Sequence, residues 1–366
     1  MSFIIYQIRL QINKWPTVKK VGLLLLNLFY DLYIPVIALV TRFIPYIRHR
    51  RKSNVIAKPG TLSFAGGLYN PGALKLDQQN IILLAKSQKI PWFNAVRANS
   101  KYYLQGSPVV FILNTNSLES AQSVVIKNVI THIDADDFAI EDLRLFRWGD
   151  KIMINHTLIS KLHEGQTVHL KSVSSAISVL SLSENSVTIL AVPQVDFPRR
   201  AVEKNWIYAE HQSNLLLFYS INPFKVLILK DRDTFSFETV INKTLSKQLT
   251  DPGGFGTLVS FSTNPINFDD KFWLVIIHQI NNKLTGRCYY HWAILIDKKS
   301  LLPVLMTKEP IFNGMGARGR RPGIRYISSV VKNGDDILFF AGEGDVYVTV
   351  TKKRVQDLQK MFVRIL

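Results

Sequence analysis

Five times along this 366-residue chain a short polar turn runs straight into an apolar strand. The copies are Leu76-Asp77-Gln78-Gln79-Asn80 before residues 81–85, Arg147-Trp148-Gly149-Asp150 before 151–155, Glu210-His211-Gln212-Ser213-Asn214 before 215–219, Asn267-Phe268-Asp269-Asp270-Lys271 before 272–277, and Lys332-Asn333-Gly334-Asp335-Asp336 before 337–340. They recur at intervals of about 55 to 70 residues, a period suited to one propeller blade per unit. One such sheet cannot bury both of its faces alone, so the units must stack in a ring. The sequence therefore predicts an all-β fold, a five-bladed β-propeller.

Nearly half of the residues are apolar, which excludes a disordered chain, and a repeat array of this length has ample core. A single cysteine, Cys288, rules out an intrachain disulfide; in the run Arg287-Cys288-Tyr289-Tyr290 it reads as a small core residue. The formal charge is +18, and residues 1–52 supply +8 of it through nine Lys or Arg against Asp31 alone. The remaining +10 favours anionic ligands without requiring nucleic acid as a partner.

The sequence divides at residue 52. Residues 21–40, VGLLLLNLFYDLYIPVIALV, are long enough for one bilayer crossing, yet Asp31 and Pro35 are costly in lipid. A spanning helix and a monotopic or re-entrant pair both remain open, beside a helix packed on the folded domain. Basic clusters bracket the run at Lys19-Lys20 and at Arg48, Arg50, Arg51 and Lys52. The heavier C-terminal flank places residues 53–366, the propeller, on the cytoplasmic side of a membrane surface.

Several groups along the propeller carry potential chemistry. Asn70-Pro71 forces a turn that can aim an amide at the central channel. Glu141-Asp142-Leu143-Arg144 sets acids and a cation just before a tight turn and a buried strand, where a rigid sheet can aim them; a surface ion pair is the bland alternative. Lys204-Asn205-Trp206 combines a cation, an amide and an indole, a mixture suited to sugars, although the same residues can build a corner. His278 ends a strand, Asp345 follows Gly342-Glu343-Gly344, and Gly314 to Gly323 is a glycine-rich loop bearing Arg318, Arg320 and Arg321. Exposed backbone N–H groups and forked guanidinium donors would make that loop a phosphate cradle; lipid headgroups or RNA are the rival ligands.

Other patterns lack the spacing that chemistry needs. His163-Glu164 with His169 lacks the i, i+4 spacing of a zinc helix and reads as a loop, and Asp134-Ala135-Asp136 and Asp231-Arg232-Asp233 read as exposed turns. No metal and no cofactor are expected.

In this order the motifs resemble the five-bladed β-propeller family of β-mannoside phosphorylases and β-1,2-mannosidases, with its related β-mannosyltransferases. The resemblance spans Leu68 to Asp345, about three quarters of the chain. It implies that Asn70 binds a mannosyl residue, that Asp142 is the catalytic acid or base with Arg144 orienting it, and that Asp345 belongs to the sugar subsite. Lys204-Asn205-Trp206 would line the substrate site, and His278 would contact phosphate. Three departures stand out: Leu143 where the family has Pro, Lys86 near a position often held by Arg, and Ser260-Phe261-Ser262-Thr263 for Arg-Gly-Gly-Thr. The last removes a cationic and two glycine positions from the phosphate side. The expectation is a membrane-associated inverting β-mannosyltransferase that uses a nucleotide sugar on a glycan or lipid-linked acceptor. A β-mannoside phosphorylase acting on a β-mannoside and phosphate, with a sugar phosphate as partner, a mannosidase of the same fold, and a non-catalytic glycan-binding propeller are the alternatives.

Overall fold

The computed structural model describes residues 53–365 other than 59–60, 64–66, 88–106, 127, 132–137, 165–166, 284–285, 315–316 and 319–322. The described strands form five sheets. Sheet I runs through Leu68–Lys75, Asn80–Ser87, Pro108–Asn114 and Ser120–Val125. Sheet II runs through Phe138–Trp148, Lys151–Glu164, Thr167–Ser181 and Ser186–Ala191, with Asn128–Thr131 added in parallel at its outer edge. Sheet III has Ile207–His211, Asn214–Ile221, Phe224–Asp231 and Ser236–Lys243, again with a parallel outer addition, Gln194–Val195. Sheet IV begins with two short pieces, Val259–Phe261 and Ile266–Asn267, both paired with Phe272–Lys283, and continues through Gly286–Asp297 and Pro303–Thr307 to Phe362–Arg364. Sheet V is Arg325–Asn333, Asp336–Glu343 and Tyr347–Arg354, closed by Asn54–Ala57.

The five repeated turns are the hairpins or tight corners between the first and second strands of these sheets. Two are tied by an aspartate: Asp77 Oδ1 accepts from the N–H of Gln79 and Asn80 at 2.7 and 2.9 Å, and Asp269 Oδ1 from Lys271 and Phe272 at 2.9 and 2.8 Å. The second strands carry apolar runs because both faces are covered there. Ile81, Leu83 and Ala85 face sheet V while Ile82 and Leu84 face sheet II, as the two-residue period of a strand requires. Leu215 and Leu217 likewise face sheet II, and Leu216 and Phe218 face sheet IV. A core lies between each successive pair of sheets, and the core of Leu338, Phe340, Val348 and Val350 against Leu68 and Leu83 joins sheet V back to sheet I. The sheets thus form a closed ring, an all-β propeller.

The first strands meet at the centre. That of sheet I touches those of sheets II and V, and that of sheet II also touches those of sheets III and V. The approach is close: a Cβ on Gly72 would stand 2.8 Å from the Leu143 carbonyl oxygen and 2.9 Å from Leu145 N. Among the described residues no helix is long and apolar enough to cross a membrane. The N-terminal segment expected to do so, residues 1–52, lies outside the described residues.

Candidate active site at the centre of the ring

Four of the residues singled out by sequence stand on left-handed backbone where the sheets converge: Asn70 (φ 49°), Asp142 (53°), Asn205 (65°) and Asp345 (60°). Asn and Asp tolerate this conformation best among residues with a side chain. At Asn70 and Asp142 the cause is a bulge, since strand register shifts between Tyr69 and Gly72 and between Glu141 and Arg144. A bulge turns one side chain out of the pleat, and here it turns two toward each other. Asn70 Nδ2 donates to Asp142 Oδ1 at 2.8 Å.

Glu141, beside Asp142, pairs with Lys86 from the second strand of sheet I, Nζ to Oε1 3.1 Å. Lys86 is buried and Glu141 is the partner that reaches the surface. Burial raises the Glu141 pKa; Lys86 opposes the shift, and the charges of Asp142 and Asp345 add to it. Asn70, Lys86, Glu141, Asp142 and Asp345 therefore form an acid-rich end of the site, built from sheets I, II and V.

Arg144 is the hub of the other end. It is 1% exposed, and its guanidinium reaches three sheets beyond its own. Nε donates to the Ser262 carbonyl oxygen at 2.6 Å, and Nη2 donates to Asn205 Oδ1 at 2.9 Å and to the Tyr326 hydroxyl oxygen. Tyr326 in turn donates to Asn205 Oδ1 at 3.3 Å. All these partners are neutral, so the buried cation is held by dipoles and leaves positive potential on this side. Exposed Lys204 lies close enough to act on His278, as Arg144 does.

His278 lies within the strand Phe272–Lys283 and not at its end as expected; it is buried, with Nδ1 2.8 Å from Ser262 Oγ. Its ring stacks on Tyr289 at 5.6 Å and meets Tyr326 edge-on at 5.2 Å. Burial, then His291, Arg144 and Lys204, hold its pKa well below 6.5, so the imidazole is neutral at pH 7. As a neutral ring it offers a phosphate a hydrogen bond, given or accepted, in place of a positive charge. His291 behind it is lowered by burial to about 3 and accepts from the Ile327 N–H at 3.2 Å.

Trp206 is a correction to the expected substrate contacts. Its indole is 1% exposed, packed on Tyr219 with ring centroids 5.0 Å apart. Its Nε1 donates to Glu203 Oε2 at 3.2 Å, and the same buried carboxylate accepts from Tyr219 OH and Arg200 N at 2.6 Å each. Trp206 thus supports the Lys204-Asn205 corner from beneath, and no face of it is free to cover a sugar. Arg318 is a second correction: it binds Glu343 and Ser53 inside the protein. Arg320 and Arg321 lie outside the described residues, as do Asp134 and Asp136.

Of the remaining patterns, Asp231 is a turn residue, accepting from Asp233 N and Thr234 Oγ1 at 2.8 Å each. His163, Glu164 and His169 are on the long hairpin of sheet II and not in a loop. Cys288 is buried. Among the described residues no group of His, Cys, Asp and Glu could hold a metal ion. Sequence reading missed Tyr289, His291 and Tyr326, whose strands show only ordinary apolar and aromatic pattern; Ser262 was visible only as a departure from the family motif.

No family model and no curated protein sequence matches the chain. Solved structures match it in fold. A β-1,2-mannobiose phosphorylase from Listeria innocua, in complex with β-1,2-mannobiose, aligns with TM-score 0.53 and 14% identity over 85% of this chain and 93% of that one. A glycosyl hydrolase from Bacteroides ovatus aligns with TM-score 0.57 and 12% identity, covering 83% and 89%. MPT-1, a GDP-Man-dependent mannosyltransferase from Leishmania mexicana, aligns with TM-score 0.51 and 10% identity, covering 79% and 85%. At these identities the likeness is one of fold, and it falls on the same group of proteins that the motif order resembles.

Proposed function

We propose that this protein is a carbohydrate-active enzyme acting on β-mannosides, with each of its five sheets counted as one blade, and that it is an inverting β-mannosyltransferase. The observation that carries the reading is Asp142, set by a bulge on left-handed backbone at the meeting point of the sheets and held there by Asn70 Nδ2 at 2.8 Å. The fold likeness to mannoside-processing proteins supports it. In this reading Asn70 and Asp345 hold the sugar at the acid-rich end. Asp142 takes the proton of the acceptor hydroxyl, directly or through a sugar hydroxyl, on the face opposite the departing diphosphate. Arg144 orients the Asp142 strand and supplies positive potential, while Lys204 meets the leaving group and neutral His278 donates a hydrogen bond to it.

Phosphorolysis of a β-mannoside is the second reading, favoured by the phosphorylase among the fold neighbours. Against it, the buried cations near Asp142 are engaged inside the protein, Lys86 by Glu141 and Arg144 by Ser262, Asn205 and Tyr326. A membrane-bound acceptor fits the apolar, basic composition of residues 1–52, which on this proposal associate with the membrane and leave the propeller on the cytoplasmic side. The test is a thermal-shift panel of nucleotide sugars against mannose 1-phosphate plus phosphate. A ligand at a hundredfold excess over its Kd stabilises by about 2.7 kcal/mol, well within detection. Stabilisation by a nucleotide sugar supports transfer; stabilisation by mannose 1-phosphate alone assigns phosphorolysis; no shift with either removes both.

A further inference from the structure

Glu343 is a buried carboxylate, 0% exposed, two residues before Asp345. Its Oε1 accepts from Arg325 Nη2 at 2.7 Å, Arg325 Nε at 3.0 Å, and Ser53 Oγ and Thr349 Oγ1 at 3.2 Å each. Its Oε2 accepts from the Arg318 backbone N–H at 3.0 Å, with the Arg318 guanidinium 3.9 Å away. Ser53 is the first described residue after the N-terminal segment, and its carbonyl oxygen accepts from Arg318 Nη2 at 3.2 Å. One carboxylate therefore joins three pieces of chain: the point where residues 1–52 enter the propeller, the glycine-arginine loop, and the strand that leads to Asp345.

That strand is the wall against which Asn70 rests. Gly342 has no space for a side chain, because a Cβ there would stand 2.6 Å from Asn70 Oδ1 and 2.8 Å from Asn70 N. The turn after it is fixed by Gly344 N on the Ile324 carbonyl oxygen at 2.8 Å and Val346 N on that of Glu343 at 3.2 Å. Moving Glu343 would move Gly342, hence Asn70, and hence the amide that holds Asp142 at 2.8 Å. Burying an ion cluster is a weak way to gain stability, since desolvation consumes most of the attraction; what such a cluster supplies is geometry.

We propose that Glu343 is a positioning residue. With Arg318, Arg325 and Ser53 it holds the Gly342–Asp345 wall against Asn70, and so couples the entry point of the N-terminal segment to the sugar end of the site. The role of that end rests on the reading of the site given above; the coupling does not.

The experiment uses the full chain, 15N-labelled on asparagine, with the Asn70 side-chain amide signal assigned by its loss in Asn70→Ala. Glu343→Gln keeps the shape and removes the charge. It is expected to shift the Asn70 signal and, where the parent binds mannose 1-phosphate, to weaken that binding about tenfold, roughly 1.4 kcal/mol. Ser53→Ala, which removes the hydroxyl bonded to Glu343 Oε1 and leaves the Ser53 carbonyl bonded to Arg318, is expected to shift the same signal less, with near-parental melting. Val226→Ala, a cavity in the distant core between sheets III and IV, is the control that lowers stability without moving Asn70. An Asn70 signal unmoved in Glu343→Gln, or unmoved in Ser53→Ala should Glu343→Gln fail to fold, overturns the proposal. A parent that does not bind mannose 1-phosphate while the signals move as expected removes the sugar assignment and keeps the coupling.

Discussion

Replacing Arg144 by Met keeps the unbranched stem and deletes the guanidinium on which four sheets converge. Ser262 loses the donor to its carbonyl oxygen at 2.6 Å, and Asn205 and Tyr326 keep only their mutual 3.3 Å bond. A buried acceptor left without its donor costs about 1–3 kcal/mol, and two such losses sum to roughly 2–6 kcal/mol. Releasing a desolvated cation returns part of this, so the expected net loss is about 2–4 kcal/mol, measured as the shift in urea midpoint at constant m-value. The same substitution removes one of the charges that depress His278, after burial and His291, so the imidazole pKa should move up toward 6.5 while burial still holds it low. That shift is readable from the imidazole signals in a pH titration by NMR. A variant as stable as the parent, with His278 titrating unchanged, would refute the description of Arg144 as the hub.

Acid should weaken the fold through its buried histidines. His156 and His291 have folded pKa values of about 4 and about 3, both lowered mainly by burial from 6.5. The unfolded chain therefore takes up their protons first, and stability that is full above pH 6.5 falls as pH drops toward those values. At about 1.36 kcal/mol per unit each, the loss between pH 7 and pH 5 is about 2 kcal/mol per histidine, checked by urea unfolding at both pH values; a flat profile contradicts the burial of the two rings. His278 acts in the same direction. Gly342→Ala should displace Asn70 and lower sugar affinity about tenfold or more, read by calorimetry, with unchanged binding contradicting the close approach of the two strands. Removing residues 1–52 should leave a β-rich protein that no longer sediments with membranes; a truncated chain that only aggregates would make that segment part of the fold.

The ring was legible because its signals are local. Each polar turn sits between two strands of one sheet, and the stretch of a second strand packed on both faces favours apolar residues at consecutive positions, so 81–85 and 215–218 show in the sequence as unbroken runs. Asn70 and Asp345 were legible because Asn or Asp next to Pro or Gly marks a bend, and Asp142 because its run of two acids and an arginine precedes a tight turn and an apolar strand. What binds these residues together was not legible. Arg144 meets partners 61, 118 and 182 positions away, and no local pattern shows that a guanidinium will serve three other sheets. Trp206 beside a lysine and an amide has the composition of a sugar site, yet Glu203, three residues earlier, captures its indole N–H. Arg318 misled for the same reason: its partner Glu343 is 25 residues on, and Ser53 lies at the other end of the chain.

The proposed mannosyl transfer depends on Asp142 as the group that moves the proton. Asp142→Asn preserves size and most hydrogen-bonding reach while removing the base, so the direct measurement is turnover and binding of the nucleotide sugar that stabilises the parent protein. Turnover should fall by about 10² to 10⁴ while the ligand still binds within a fewfold of the parent. Turnover equal to the parent's would contradict this role and move the chemistry away from Asp142.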